Sequence, residues 1–197
     1  MFFRITWVHK ILKILKWAFL ILLGLFIILV IGRWIYLDNQ AKTDEQVIKI
    51  HNTKLTLDDV MGKNLPPDPG ALADATVQGI DANNNGIRDD VELAVFKEYP
   101  NSAKTRAVLL QYALALQMQM TLPLVNTETV VATVENKSRA NICMWNLEDI
   151  EKYKNFVEKL YINTQQRDEY LNSFYQKLGS YTASNEGCDL DLSTLSN

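Results

Sequence analysis

Hydrophobic positions along this chain fall into two regimes. From Trp17 to Leu37 the run WAFLILLGLFIILVIGRWIYL is apolar at almost every position. Beyond it, apolar residues recur at helical spacing and are interrupted by prolines, glycines and short polar clusters. The first run is 21 residues long, the length a helix needs to cross roughly 30 Å of hydrocarbon. Its one charge, Arg33, lies a turn from the end, where a long side chain reaches the headgroups. Trp17, Trp34 and Tyr36 fall where aromatic residues favour the membrane interfaces. Residues 17–37 are therefore predicted to form a transmembrane signal-anchor helix. The run exceeds the apolar core of a cleaved signal peptide, and the following RWIYLDNQA lacks small residues at the cleavage spacing. The anchor is expected to stay attached. Gly24 and Gly32 are too far apart for a small-xxx-small helix-pairing motif.

The second regime begins with residues 38–70, read as a polar stalk and a Pro-rich linker. Val47 and Ile50 suit a short helix, and Thr56 before Leu57-Asp58-Asp59 is an N-cap with acids in the first turn. Gly62 would end that turn. Pro66, Pro67 and Pro69, closed by Gly70, predict a stiff extended spacer. Residues 71–197 are read as a helical domain. Val91, Leu93, Ala94, Val95 and Phe96 predict a helix stopping at Tyr99-Pro100, and Ser102 caps a long one that ends before Pro123. In the latter, Leu109, Tyr112, Leu116 and Met120 form the core stripe. A further helix is expected from Thr127 to about Trp145, although its β-branched run weakens the signal. Glu148-Asp149 opens another, with Ile150, Tyr153, Phe156, Val157 and Leu160 on one face. Asn163-Thr164 caps the next, with Gly179 as its stop. No alternating strand pattern, internal repeat or glycine-rich phosphate loop appears. The predicted fold class is all-α, one N-terminal transmembrane helix followed by a small helical domain.

Charge adds a direction to this layout. The net charge of −3 hides a split: residues 1–37 carry Arg4, Lys10, Lys13, Lys16 and Arg33 without an acid, while the remaining 160 residues hold 15 Lys or Arg against 23 Asp or Glu. An acidic domain excludes nucleic acid as its expected partner, because phosphate binding needs a concentrated basic surface. The basic flank, residues 1–16, is expected to stay in the cytoplasm by the positive-inside rule. In a bacterium the chain would then be single-pass in the inner membrane, with its C-terminal domain in the periplasm and the lipid bilayer as its first partner. Lys10, Lys13 and Lys16 share one helical stripe, with Ile11, Leu12, Ile14 and Leu15 opposite. That pattern fits an amphipathic helix on the inner leaflet and equally an early start of the transmembrane helix. His9 reads as a headgroup-level residue, and His51 stands alone.

Candidate chemistry is sparse outside one loop. Cys143 and Cys188 are the only cysteines, 45 positions apart, and an isolated pair in an oxidising compartment predicts one disulfide. A catalytic Cys143 with His51 would need a reduced thiol and a third orienting group. Met118, Met120 and Met144 have soft thioethers that suit Cu(I), but their spacing fits core packing better. Glu148, Asp149 and Glu151 supply carboxylates without a nucleophile–base constellation.

The exception is DANNNGIRDDVE, residues 81–92. A hard cation takes six to eight oxygens, and a short loop delivers them from alternate residues around one sharp turn. Here Asp81, Asn83, Asn85, the Ile87 carbonyl, Asp89 and Glu92 fall at positions 1, 3, 5, 7, 9 and 12, with Gly86 at 6. The stretch resembles an EF-hand-like calcium loop, and more closely the bacterial version of the thrombospondin type 3 calcium repeat, which carries an apolar residue at position 7. It departs from paired EF-hands at Arg88, where those place an aliphatic residue that bridges to a second loop, and no second loop exists here. The surrounding text, from KLTLDDVMGKNLPPDPG through NGIRDDVELAVFKEYPNSAK, is similar to membrane or envelope proteins of gamma-proteobacteria, a likeness that carries no function with it. The resemblance implies Ca²⁺ as the bound ion, held weakly, in the range of about 10⁻⁴–10⁻³ M, because only three of the ligands are acids.

The expected function is a membrane-anchored periplasmic domain that binds calcium for structural reasons and engages another membrane or envelope protein. A calcium-responsive regulator or accessory subunit of a membrane complex is the alternative. An envelope enzyme ranks behind both.

Overall fold

The structure is a computed structural model that describes residues 2–183 and 186–197, with the backbone alone for residues 2–6, 8 and 9. The side chains of Arg4 and His9 thus lie outside the described residues. All regular structure among the described residues is helical: α1 (Phe2–Asn52), α2 (Leu57–Met61), α3 (Asp89–Glu98), α4 (Ala103–Thr121), α5 (Thr127–Met144), α6 (Ile150–Tyr161) and α7 (Gln165–Tyr175), with short 3-10 turns at Gly70–Asp74 and Leu192–Thr194. The chain divides into two compact units, Met1–Asp44 and Glu45–Asn197.

The first unit is helix throughout its described length, and its apolar side chains stand exposed, Leu29 at 71%. It supplies a helix long and apolar enough to cross a membrane. The stalk expected after Leu37 is not a break. α1 continues to Asn52 because residues 33–52 contain neither glycine nor proline and support the helix locally. Lys42 pairs with Asp38 one turn back at 2.6 Å, and Thr43 Oγ1 donates to the Asn39 carbonyl at 3.0 Å.

In the second unit α4 is the central element, packed by α5 and touched by α2, α3, α6 and α7. The expected stripe of Leu109, Tyr112, Leu116 and Met120 is buried, but so are Val108, Leu110, Ala113 and three glutamines on the other faces. The glutamines are accommodated by specific partners. Gln111 Nε2 donates to the Gly187 carbonyl, Gln117 Nε2 to the Gln78 carbonyl, and Gln119 Oε1 accepts from Tyr175 Oη. Met120 and Met144 lie in the same core and Met118 packs against it.

Local start signals work as read. Thr56 forms a reciprocal capping box with Asp59, Gly62 closes α2 at φ +67°, and Ser102, Asp149 and Thr164 accept N–H groups at the starts of α4, α6 and α7. Gly179 is different. α7 ends earlier, at Tyr175, and a Cβ at Gly179 would lie 2.8 Å from Thr127 Cγ2. This glycine permits close approach of the chain to the start of α5; it does not stop a helix. The Pro-rich run lies inside the second unit, with Pro66 buried and Pro69 already in helical conformation before the Gly70–Asp74 turn.

Cys143 and Cys188 are disulfide-bonded, fastening the C-terminal segment to α5. Around that bond the buried Asp189 carboxylate accepts the Leu55 N–H at 2.9 Å and meets the Arg139 guanidinium. Its own N–H donates to Gln111 Oε1 at 2.8 Å. Farther along, the Lys104 N–H donates to the Ser196 carbonyl at 3.0 Å.

Candidate metal centre

Residues 81–89 are shaped by their own side chains. The Asp81 carboxylate accepts the N–H groups of Asn85 at 3.1 Å and Gly86 at 2.9 Å. Asn83 Oδ1 accepts from the Asn85 N–H at 3.3 Å, and Asn85 Oδ1 from the Ile87 N–H at 2.9 Å. These side chains stand in for backbone acceptors, which is what Asp and Asn offer a turn. Asn84 and Gly86 take positive φ of 56° and 84°, conformations that asparagine tolerates and glycine favours. At Gly86 a Cβ would also lie 2.8 Å from Leu114 Cδ1, so the turn lies against α4. Ile87, fully buried in the core, anchors it there.

The loop closes on α3. Asp89, fully buried, accepts the Ala82 N–H with both oxygens at 3.0 and 3.1 Å while its N–H donates to the Ile80 carbonyl. Glu92, 1% exposed, lies in the first turn. Asn83 Nδ2 donates to Glu92 Oε2 at 3.0 Å and to the Asn64 carbonyl at 2.9 Å. Burial pushes the Glu92 carboxyl up to about 7; the amides of Asn83 and Asn85 beside it act downward, and Asp59 and Asp89 upward. Of the two amides only Asn83 reaches the carboxylate, and Asn85 Nδ2 is buried without a hydrogen-bond acceptor. Burial also raises Asp81, against the N–H groups of Gly86, Asn85 and Asn84. It raises Asp89 too, against the Ala82 N–H and reinforced by Asp81 and Asp90. None of the ion pairs among the described residues involves Asp81, Asp89 or Glu92.

Two arginines that the sequence reading did not assign hold the approach to the loop. Arg88 and Arg167 are both fully buried. Arg88 grips Asp90 with two N–H groups at 2.6 and 2.8 Å, donates to the carbonyls of Leu160 and Tyr161, and lies over the Tyr161 ring. Its stem is buried and its head reaches α6. A Cβ at Gly79 would lie 2.3 Å from Arg88 Cδ, so the backbone runs directly against that stem. Arg167 donates to the carbonyls of Ala73, Thr76 and Val77 and to the side chains of Asp74 and Asn163. A third arginine, Arg106, does the same for the carbonyls of Val60, Tyr99 and Pro100. The local signal for Arg88 was its place inside an otherwise acidic and amide loop; Arg167, among polar helix residues, gave none.

The donor set is chemically suited to a hard cation: three carboxylates, two amide oxygens and a backbone carbonyl, with Asp89 and Glu92 buried, Asp81 half-buried, and none of the three in an ion pair among the described residues. A cleft of ≈ 360 Å³ opens beside it, bordered by Asp81, Asn84, Asn85 and Gly86 and by Leu114 and Met118. Among the described residues no three His, Cys, Asp or Glu side chains stand together at ion-holding distance, so Asp81, Asp89 and Glu92 would have to draw inward around an ion. The other chemistry weighed from sequence is accounted for locally. Cys143 is oxidised, His51 Nε2 lies 3.4 Å from Glu135, and Asp149 caps α6. No protein-family model, curated protein or solved structure matches this chain, so what the loop does has to follow from its own residues.

Proposed function

We propose that residues 81–92 bind Ca²⁺ through Asp81, Asn83, Asn85, the Ile87 carbonyl, Asp89 and Glu92, and that the ion braces a membrane-anchored domain. The observation that carries this reading is the burial of Asp89 and Glu92 with no cationic side chain beside them. Buried carboxylates are stable when paired or bound to a metal, and otherwise they take up protons. Calcium would supply the missing charge. Formal ligand charge of −3 and an unpaired loop point to weak affinity, about 10⁻⁴–10⁻³ M. At millimolar Ca²⁺ that contributes about 1–2 kcal/mol by mass action.

The long apolar helix α1 and its basic flank support a single-pass orientation in a bacterial inner membrane, with the second unit in the periplasm. In that compartment the domain would serve as a structural or interaction module for another envelope protein. The braced approach through Arg88 and Arg167 favours a structural ion over a signal, because a rigid frame has little to report.

The test is calorimetry and thermal melting of the full chain in detergent micelles, with Ca²⁺ or chelator, for wild type and Glu92→Gln. Ca²⁺ should raise the wild-type midpoint by about 3–6 °C and leave Glu92→Gln unmoved. Equal wild-type midpoints together with no heat of binding would refute the reading. Reporter fusions after Asn197 test orientation, and activity only on the cytoplasmic side would refute the periplasmic placement.

A further inference from the structure

Asn83 does more in this structure than offer an oxygen. Its Oδ1 faces the Asn85 N–H, while its Nδ2 spans two acceptors on different segments, Glu92 Oε2 at 3.0 Å and the Asn64 carbonyl at 2.9 Å. Asn64 belongs to the corner that follows α2, and Glu92 to the first turn of α3. One primary amide therefore ties three segments at a single point. Glu92 is 1% exposed, and no cationic side chain among the described residues reaches it. Asp59, at the third position of α2, and Asp89 both push its carboxyl upward. The Asn83 N–H group is the donor that faces this carboxylate at hydrogen-bonding distance.

We infer that the Asn83 amide is a positioning group that substitutes for the cation, holding Glu92 and the α2 corner in place while the loop is empty. An aspartate at this position would present the same oxygen to the Asn85 N–H and add a charge for a cation. It would also remove both donations and place an anion against Glu92. Asparagine thus trades ion affinity for a loop that keeps its shape without an ion. The opposite choice would make folding depend on calcium.

This predicts effects of opposite sign from one substitution. In chelator at about pH 8, where Glu92 is ionised, full-length Asn83→Asp in detergent micelles should melt about 5–10 °C below wild type, from two lost donations and one new like-charge contact. With Ca²⁺ the same variant should bind at least fivefold more tightly than wild type, which a side chain acting only by packing would not produce. The double variant Asn83→Asp, Glu92→Gln moves the amide donor to the other side of the pair. It should recover at least half of the lost midpoint in chelator while showing no calcium shift. If Asn83→Asp proves unfolded in chelator, Asn83→Ser, which keeps one donor, should fall between it and wild type.

The affinity arm rests on the calcium reading, and the chelator arm does not. If wild type shows no calcium shift but the chelator arm behaves as described, the clamp stands and the calcium reading falls. An Asn83→Asp midpoint in chelator within 1 °C of wild type, or a double variant no better than the single one, overturns the clamp.

Discussion

Replacing Arg167 with methionine keeps the buried stem of the side chain and deletes its head. The guanidinium is fully buried and donates to five groups: the carbonyls of Ala73, Thr76 and Val77, the Asp74 carboxylate at 2.6 Å, and Asn163. At about 1 kcal/mol net per hydrogen bond, the five together contribute about 5 kcal/mol before discounts. Two discounts apply. The Asp74 side chain is 49% exposed, and Thr76 lies at the surface, so both regain water when the head is gone. Removing a desolvated charge also returns part of its burial cost. The expected loss is about 3 kcal/mol, or roughly 6–12 °C in melting midpoint for a chain of this size. Arg167→Lys should recover no more than half, because one ammonium has three donors and cannot span carbonyls on both sides of the turn. Thermal melting by circular dichroism in chelator gives the midpoints. Hydrogen exchange should show the amides of 77–80 opening faster, since that segment leads directly to Asp81. A methionine variant within 2 °C of wild type, or a lysine variant equal to it, would refute the idea that this guanidinium holds the approach to the loop.

Gly79→Ala should cost about 2–4 kcal/mol, because Gly79 has φ +69° and a Cβ there would lie 2.3 Å from Arg88 Cδ; urea denaturation reads it, and a loss under 1 kcal/mol would show that Arg88 can move aside. Removing the Cys143–Cys188 bond by the double alanine variant should cost about 4 kcal/mol from chain entropy over its 45-residue separation, checked by melting against wild type with and without reductant. In chelator, stability should fall as pH rises from about 4.5 to about 7. Over that window folded Glu92, its carboxyl raised to about 7, keeps a proton that the unfolded chain has released. The loss is about 3 kcal/mol at most, it levels off above pH 7, and saturating Ca²⁺ should flatten it. A midpoint in chelator that is flat or rises from pH 5 to 7.5 would refute the burial argument.

What the sequence revealed was whatever its neighbours in the chain decide. The Thr56–Asp59 capping box and the Ser102 and Thr164 caps are local contacts between a side chain and an amide three residues on, and α3 starts with acids in its first turn. The sharp turn at Gly86 within residues 81–92 was legible for the same reason. What escaped was set by distant chain. Arg167 looks like any solvated helix residue until α7 is laid against residues 73–77, and Gly179 looks like a helix stop until α5 comes within contact. The second face of Asn83 depends on Asn64 arriving from across a proline-rich detour of nineteen positions. α1 ran on past the expected stalk because polarity alone does not end a helix that neither glycine nor proline interrupts over residues 33–52.

The segment around Cys188 and Asp189 also bears on the order in which this protein can be completed. Leu55 waits for the Asp189 carboxylate, Cys143 for Cys188, Gln111 for Gly187 and Lys104 for Ser196. All four recipients leave the ribosome long before their partners do. A growing chain can therefore assemble α4 with α5 and still carry Arg139 with no carboxylate facing it. Any product cut short before Cys188 would leave Arg139 without its Asp189 partner and a reduced Cys143 open to wrong pairings. Finished and truncated chains would then differ most at the inner end of the last segment, where a protease that samples loosened helices would meet them first.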